Sequence, residues 1–332
     1  MMIKDLDICS LGNGLVDIQY AVDFAEVEQT GFESGVMVLI EKSHQQELLK
    51  LFANKPENLC SGGSAANSII GFAGFGGKAA HKTVLGKDKF GEFYSKEFNE
   101  LGIELFAEFN SEYPTGTCLI LITPDAQRTL LTYLGATSLF SPENLNEDLI
   151  ARSKWLYLEG YYFSQPHTKD AIFKAVELAK KHDTKIAVSF SDNFIIDFFY
   201  DDLKKVVDAS DLLFCNAGEA MNFTKTDSSE NAYIALSELK KNFALTNGAD
   251  GSIVFWDGVR YDIPAYKTKA VDTTGAGDMY AGGFMYGIIY KNSPIYAGHL
   301  GSFASSRIVS QLGARLNGNH KELLDELENL LK

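Results

Sequence analysis

Three observations predict an α/β fold, with a mainly parallel sheet flanked by helices on both faces and a small β-sheet projecting from it. Short apolar runs of strand length alternate with amphipathic helical stretches. Two stretches interrupt that alternation with strand patterns alone. Glycine-rich turns stand where strand-like segments give way to helical ones. The chain has 332 residues, 45% of them apolar, which is enough for one large domain with a smaller appendage.

The strand-like runs are LDICSLG from Leu6, WLYLEG from Trp155, KIAVSFS from Lys185, DLLFCN from Asp211, ALTNG from Ala244 and SIVFW from Ser252. Helical periods fall between them at 168–182 and 231–242, and the terminal DELENLLK reads as a last amphipathic helix. Repeated strand-then-helix succession makes a parallel sheet, and ligands bind such sheets at the carboxyl ends of the strands. Residues 17–41 and 105–134 carry alternating patterns without helices. Within them TGTCLILIT and QRTLLTYLG are joined by PDA, whose Pro-Asp pair predicts a hairpin turn. These two stretches are expected to form a lid, leaving 1–16, 42–104 and 135–332 for the main domain. Ordinary edge strands of the same sheet are the alternative.

Charge and composition exclude several classes. With 30 Lys+Arg against 44 Asp+Glu the formal net charge is −14, which repels nucleic-acid backbones and anionic lipid. The N-terminal MMIKDLDICSLG places acids where a signal peptide needs an apolar core, and no apolar run approaches the ~20 residues of a membrane span. A cytoplasmic protein is expected. Cys9, Cys60, Cys118 and Cys215 are widely separated with no C-x-x-C pair, so they read as free thiols in a reducing compartment. The six histidines show no metal-binding spacing.

The most informative segment is VDTTGAGDMYAGGFMYGIIY, from Val271 to Tyr290. A strand-like approach leads into an apolar helix, with Gly275, Ala276 and Gly277 at the junction. Small residues there leave N–H groups bare, and the positive end of the helix suits a phosphate. Asp278 lies in the first helical turn, where a carboxylate beside an anion site can accept the proton of an attacking hydroxyl. A simple helix-capping aspartate is the alternative. In CSGGSAANSIIGFAGFGG, from Cys60, Gly62 and Gly63 precede a helix expected to start near Ser64, with Asn67 about one turn in. Glycine permits close approach of a ligand and Asn offers a donor and an acceptor to hydroxyls; a tight strand-to-helix turn is the bland reading. In LGNGLVDI, Asn13 and Asp17 are candidates to hold a polyol. That segment fails the dinucleotide fingerprint, because Asp17 stands where the third glycine belongs. GFAGFGGKAA fails the Walker pattern at Phe72 and Ala79.

Taken together, VDTTGAGDMYAGGF, GGSAANS, NAGE at 216–219 and LTNGADGS from Leu245 resemble the signatures of the ribokinase-like (PfkB) carbohydrate kinase family, in order and over nearly the whole chain. GNGLVDI, the lid-like PTGTCLILITPDAQRTLLTYLGA, EGYYFS and SFSDNF resemble its adenosine kinase branch, although Asn193 stands where that branch often carries Pro. The resemblance implies a three-layer α/β/α sandwich with a β-sheet lid, and ATP-dependent phosphorylation of a nucleoside hydroxyl. A kinase of a free sugar such as ribose or fructose is the first rival reading, and a non-catalytic nucleotide-binding protein the second.

By the same resemblance Asp278 is the base, with Gly275, Ala276 and Gly277 donating N–H groups to the transferring phosphoryl. Asn13, Asp17, Gly63, Ser64 and Asn67 hold the acceptor, and Tyr162 and Phe194 stack on its base. Asn216, Thr246, Gly248 and Gly251 contact ATP, and Asn216 and Glu219 hold Mg²⁺ largely through water. Asp272 and Thr274 match part of a K⁺ loop. Arg128 reads as a solvated lid residue, with a phosphate contact on closure as the alternative. The protein is expected as a monomer or a homodimer paired through the lid.

Overall fold

The computed structural model of the chain describes residues 3–125, 127–316 and 318–332. Among these residues the first eight strands are β1 (Leu6–Leu11), β2 (Leu15–Ala21), β3 (Met37–Leu39), β4 (Asn58–Gly62), β5 (Ala79–Gly86), β6 (Glu104–Asn110), β7 (Gly116–Ile122) and β8 (Arg128–Tyr133). The rest are β9 (Ser153–Glu159), β10 (Lys185–Ser189), β11 (Leu212–Asn216), β12 (Asn242–Thr246), β13 (Ser252–Trp256) and β14 (Val259–Ile263). They form a nine-stranded sheet, β14-β13-β12-β11-β10-β9-β1-β5-β6, and a five-stranded sheet, β3-β8-β7-β2-β4. The large sheet is parallel from β12 through β6 and ends in the antiparallel β12-β13-β14 meander.

Side-chain alternation makes the large sheet a middle layer. Tyr157, Leu212, Phe214 and Ala244 face one core with the helices Ser64–Gly74, Lys89–Glu100 and Ala276–Tyr286. Leu156, Leu158, Leu213, Cys215, Phe243 and Leu245 face the other, with the helices Pro166–Lys181, Asn193–Ala209, Ala217–Thr224 and Ser229–Glu238. A strand buried on both faces needs apolar residues at consecutive positions, which is why these runs read as continuous rather than alternating. From β1 the sheet grows one way through β5 and β6, and the other way through β9 to β12. Strand order therefore reverses between β1 and β9, the place where an open α/β sheet leaves a crevice at its carboxyl edge.

The lid differs from its expected bounds. Residues 105–110, expected there, belong to β6 and pair in parallel with β5 in the large sheet. Asn58–Gly62, expected in the main domain, pairs antiparallel with β2 in the small one. The stretch 17–41 also contains a helical segment, Phe24–Gln29, whose N-terminus Asp23 and Glu26 close as a capping box. A six-residue helix is too short to show a period. The β7–β8 hairpin is antiparallel as its Pro-Asp turn predicts, with Ala126 of that turn outside the described residues. Helix Ser229–Glu238 is shorter than its expected span because β12 begins at Asn242. Residues 271–275 form an irregular turn, not a strand.

All four cysteines are free, with Cys60 half-buried and the others buried. No helix of the described residues is long and apolar enough to cross a membrane.

Candidate active site

Between the lid and the carboxyl edge of the large sheet lies a cavity of about 380 Å³, within the range typical of small-molecule sites. The lid supplies a largely apolar wall, Leu15, Met37, Leu39, Cys118, Ile120 and Leu130, together with the polar Asp17 and Thr132. The opposite wall comes from the ends of β1, β9, β11 and β12 and from two helix N-termini, one at Ser64 and one at Ala276.

Both helices begin at a glycine that no other residue replaces cheaply. Gly63 has φ +102° and a Cβ there would stand 2.0 Å from the Asn13 carbonyl oxygen. Gly275 has φ +73°, and its Cβ would meet that of Ala314 at 2.8 Å. The turn thus packed exposes an incomplete ring of donors. No hydrogen bond within the described residues engages the N–H groups of Gly275, Gly277 or Asp278. The Ala276 N–H, expected to be bare, instead donates to Thr273 O at 3.2 Å. The backbone of Asp278 is the donor that sequence reasoning overlooked.

The Asp278 side chain belongs to the same cavity lining as this turn. It accepts from Ser64 Oγ at 2.6 Å and from Asn67 Nδ2 at 3.2 Å. Ser64 is thus an orienting group for Asp278. Burial pushes the carboxyl up to about 6, and the two hydrogen bonds pull it back. Asn67 Oδ1 is buried without a hydrogen-bond partner among the described residues. Asp17 also lines the cavity with no side-chain hydrogen bond, and burial raises it to about 7 against the opposing charges of Arg315 and Arg128. Two unpaired acceptors in one cavity suit the hydroxyls of a polyol.

Asn13 is committed elsewhere. Its N–H and Nδ2 both donate to Glu159 Oε1, at 2.9 and 2.6 Å, and its Oδ1 accepts from Thr137 at 3.3 Å. Glu159 Oε2 accepts from Ala65 N at 2.7 Å. This carboxylate is fully buried at the end of β9 and ties the loop after β1 to the start of helix Ser64–Gly74. Burial raises it to about 7, with the backbone donors of Ala65 and Asn13 opposing. Sequence reasoning passed over Glu159; its signal was an acid ending an apolar strand at the sheet's ligand-binding edge.

The aromatic assignment shifts by one residue. Tyr162 is buried, donating to Gly12 O at 2.6 Å with its ring against Phe140. Tyr161 lines the cavity beside Phe194, ring centroids 6.1 Å apart. The tandem Tyr161-Tyr162 leaves both with equal claims in sequence, and the turn Gly160–Ser164 decides which faces the ligand.

At the nucleotide end, Asn216 and Thr246 are register partners on β11 and β12 and both line the cavity. Gly248 and Gly251 stand outside its lining, in the turn beyond Thr246. Asn216 and Glu219 form a reciprocal capping box on helix Ala217–Thr224: Glu219 N donates to Asn216 Oδ1, and Asn216 N and Nδ2 donate to the Glu219 carboxylate. The N-x-x-E spacing therefore has a folding role. Burial raises Glu219 to about 7. No group of three or more His, Cys, Asp or Glu side chains gathers as a metal cluster among the described residues. This donor set fits only a hard cation such as Mg²⁺ that keeps its waters and binds chiefly to phosphate.

Arg128 is not a solvated residue. It is 7% exposed, and its Nη2 lies 2.9 Å from Asp272 Oδ2 in a contact buried on both sides. The contact is an ion pair outside hydrogen-bond geometry, since no guanidinium nitrogen of Arg128 has a hydrogen-bond partner among the described residues. Thr274 lines the cavity, whereas Asp272 does not.

Four buried carboxyls with raised pKa values set a sign for stability. Each binds its proton more tightly folded than unfolded, so its stabilising contribution is full below about pH 4 and is lost as pH rises through its folded pKa. For Asp17, Glu159, Glu219 and Asp278 that loss runs to about 6 or 7. The melting temperature of the free protein is expected to fall from pH 5 to pH 8. Self-repulsion of the acidic surface acts in the same direction, so Asp278→Asn isolates the site: its melting temperature should gain on the wild type as pH rises through about 6. A gain that is flat or shrinks with pH contradicts this reading.

A parallel α/β sandwich whose lidded cavity joins a carboxylate to a helix N-terminus lined with amides defines a phosphotransferase acting on a small-molecule alcohol. The sequence pattern of the pfkB family carbohydrate kinases matches residues 50–321. The chain belongs to that family. It is 27% identical to adenosine kinase 2 of Arabidopsis thaliana over 92% of this chain and 94% of that protein. The crystal structure of adenosine kinase from Sinorhizobium meliloti is 31% identical, with a TM-score of 0.87 over 97% of this chain and 99% of that one. A probable sugar kinase from Rhizobium etli is 30% identical, with a TM-score of 0.89 over 98% and 99%.

Proposed function

We propose that this kinase transfers the γ-phosphoryl group of ATP to the 5′-hydroxyl of a nucleoside such as adenosine. The observation that carries the acceptor class is the mixed lining of the cavity. Asp17 and Asn67 offer unpaired acceptors, while Leu15, Met37, Leu39, Ile120, Tyr161 and Phe194 offer apolar and aromatic surface in the same cavity. A nucleoside has a polyol half and a flat apolar-faced half; a free hexose has only the first.

In this reading the ribose hydroxyls donate to Asp17 and Asn67 Oδ1. The attacking hydroxyl donates its proton to Asp278 as its oxygen bonds to the γ-phosphorus and the bond to the β,γ-bridging oxygen breaks, releasing ADP. The N–H groups of Gly275, Gly277 and Asp278 receive the equatorial oxygens. Asn216 and Thr246 contact ATP, whose far end extends toward the 247–251 turn. Asn216 and Glu219 would hold Mg²⁺ largely through water, and the ion would supply charge neutralisation on the phosphates. The Asp272 carboxylate already faces a guanidinium, so turnover is expected to be equal in K⁺ and in a bulky monovalent cation. A severalfold preference for K⁺ would restore a cation site in that loop.

The acceptor test is ADP release with a panel of nucleosides, ribose and fructose. Nucleosides are expected to be turned over and fructose not; the reverse pattern would make this a sugar kinase. Base–aromatic stacking carries about 1–3 kcal/mol per base. Tyr161→Ala and Phe194→Ala should therefore each raise the nucleoside KM roughly tenfold, while Tyr162→Phe should leave it unchanged. Unchanged KM in both alanine variants would remove the stacking role.

A further inference from the structure

The chain reverses beside the cavity at Ser191. Phe190 N still donates to Phe214 O at 3.0 Å, continuing the pairing of β10 with β11, yet the helix Asn193–Ala209 begins almost at once. One residue makes the reversal. Asp192 N donates to Phe190 O at 2.9 Å across Ser191, whose φ is +70°. That is a γ-turn of the rare, strained hand. A left-handed backbone is unfavourable for a residue with a Cβ and persists only where its surroundings fix it.

What fixes it is the turn after β9. Gly160 packs so closely there that a Cβ on it would stand 2.5 Å from Phe190 O. Its N–H donates to Ser191 Oγ at 2.8 Å, and Tyr161 Oη donates to Ser191 O at 3.2 Å. Among the described residues, the two hydrogen bonds that join these turns both end on Ser191. On its other side Asp192 Oδ1 accepts from Phe194 N at 2.9 Å and starts the helix that carries Phe194. Ser191 therefore stands between Tyr161 and Phe194, whose rings are tilted by 34°, and lines the cavity with them.

We infer that Ser191 is a positioning residue that sets selectivity for the base: its strained turn locks Tyr161 to the start of the Phe194 helix, so the base meets an aromatic face already formed. The inference rests on the nucleoside reading above. A tyrosine free to change rotamer loses that freedom when a ligand stacks on it, whereas one held by its hydroxyl has lost it beforehand. A ligand without a flat ring gains nothing from this order. A glycine at 191 would relax the backbone but remove the hydroxyl that Gly160 N–H uses, which gives the strained serine its purpose.

The test compares Ser191→Gly, Ser191→Ala, Tyr161→Phe and the Ser191→Gly/Tyr161→Phe pair, with adenosine or whichever nucleoside the wild type uses. It reads kcat, both KM values and thermal melting. Loosening a stacking ring should cost less than removing it, so each single variant should raise the nucleoside KM roughly threefold to fivefold. The kcat and the ATP KM should each stay within about twofold, because the contact serves binding of the base and not the reacting hydroxyl. The pair should be no worse than about fivefold, since both changes act on one contact. Ser191→Gly should melt within about 2 °C of the wild type, and Ser191→Ala below Ser191→Gly, because alanine keeps the strain without the hydroxyl. A nucleoside KM within about 1.5-fold of wild type in Ser191→Gly, losses that multiply in the pair, or a loss carried by kcat would overturn the inference. So would Ser191→Ala melting at or above Ser191→Gly. If Ser191→Ala does not fold, Ser191→Gly and Tyr161→Phe decide through KM. A wild type that phosphorylates fructose and no nucleoside would sink the nucleoside reading itself; a nucleoside used equally well by all four variants would sink the role of Ser191 alone.

Discussion

Asp278→Asn is expected to fold as well as the wild type and to turn over roughly 10²–10⁴-fold more slowly, the usual cost of removing a positioned base. The amide can keep both local hydrogen bonds: its oxygen can accept from Asn67 Nδ2 and its NH₂ can donate to Ser64 Oγ, the two groups that now hold the carboxylate. What it loses is basicity. Burial places the native carboxyl at about 6, close enough to neutrality for effective proton acceptance and low enough to be mostly ionised at pH 7.5. The wild-type rate should therefore fall about tenfold per pH unit below about 6 and level off above. ATP affinity should change little in the variant. Near-normal turnover by Asp278→Asn would remove the base from the mechanism.

The second large effect is expected from a residue with no role in the chemistry. Glu159→Ala leaves three buried donors, Asn13 N, Asn13 Nδ2 and Ala65 N, without their acceptor. Each unsatisfied buried group costs about 1–3 kcal/mol. A loss of roughly 3–5 kcal/mol is expected once some relaxation is allowed, as for other buried charged partners. Denaturant unfolding measures it. Glu159→Gln keeps part of the network and should lose less, while raising the acceptor KM because Asn13 and the start of helix Ser64–Gly74 are no longer held at their present spacing. A change below about 1 kcal/mol for Glu159→Ala would mean that water replaces the carboxylate freely.

The parts of this site that were legible in sequence are those whose chemistry is local. The turn around Gly275–Asp278 and the start of the helix at Ser64 are written in contiguous small residues, and both form where expected. What escaped was long-range. Glu159 gains its meaning from Asn13 and Ala65, and Arg128 from Asp272; no spacing rule connects such distant positions. The choice between Tyr161 and Tyr162 depends on the twist of one short turn. The sheet assignments of Asn58–Gly62 and Glu104–Asn110 depend on which partner strand each meets, because an alternating or short apolar run fits either sheet equally. The Asn216–Glu219 pair shows the reverse case. Its spacing is that of a capping box as well as of a metal-binding element, and the fold forms the capping box.

The most direct test of the account is a crystal structure of the wild-type protein with adenosine and a non-hydrolysable ATP analogue. The 5′-hydroxyl should lie within about 3.2 Å of the Asp278 carboxylate, the reach of a general base. The γ-phosphate oxygens should meet the N–H groups of Gly275, Gly277 and Asp278, and the purine should lie against Tyr161 and Phe194. A nucleoside bound with its primary hydroxyl turned away from Asp278, or a triphosphate that avoids the 275–278 turn, would contradict it.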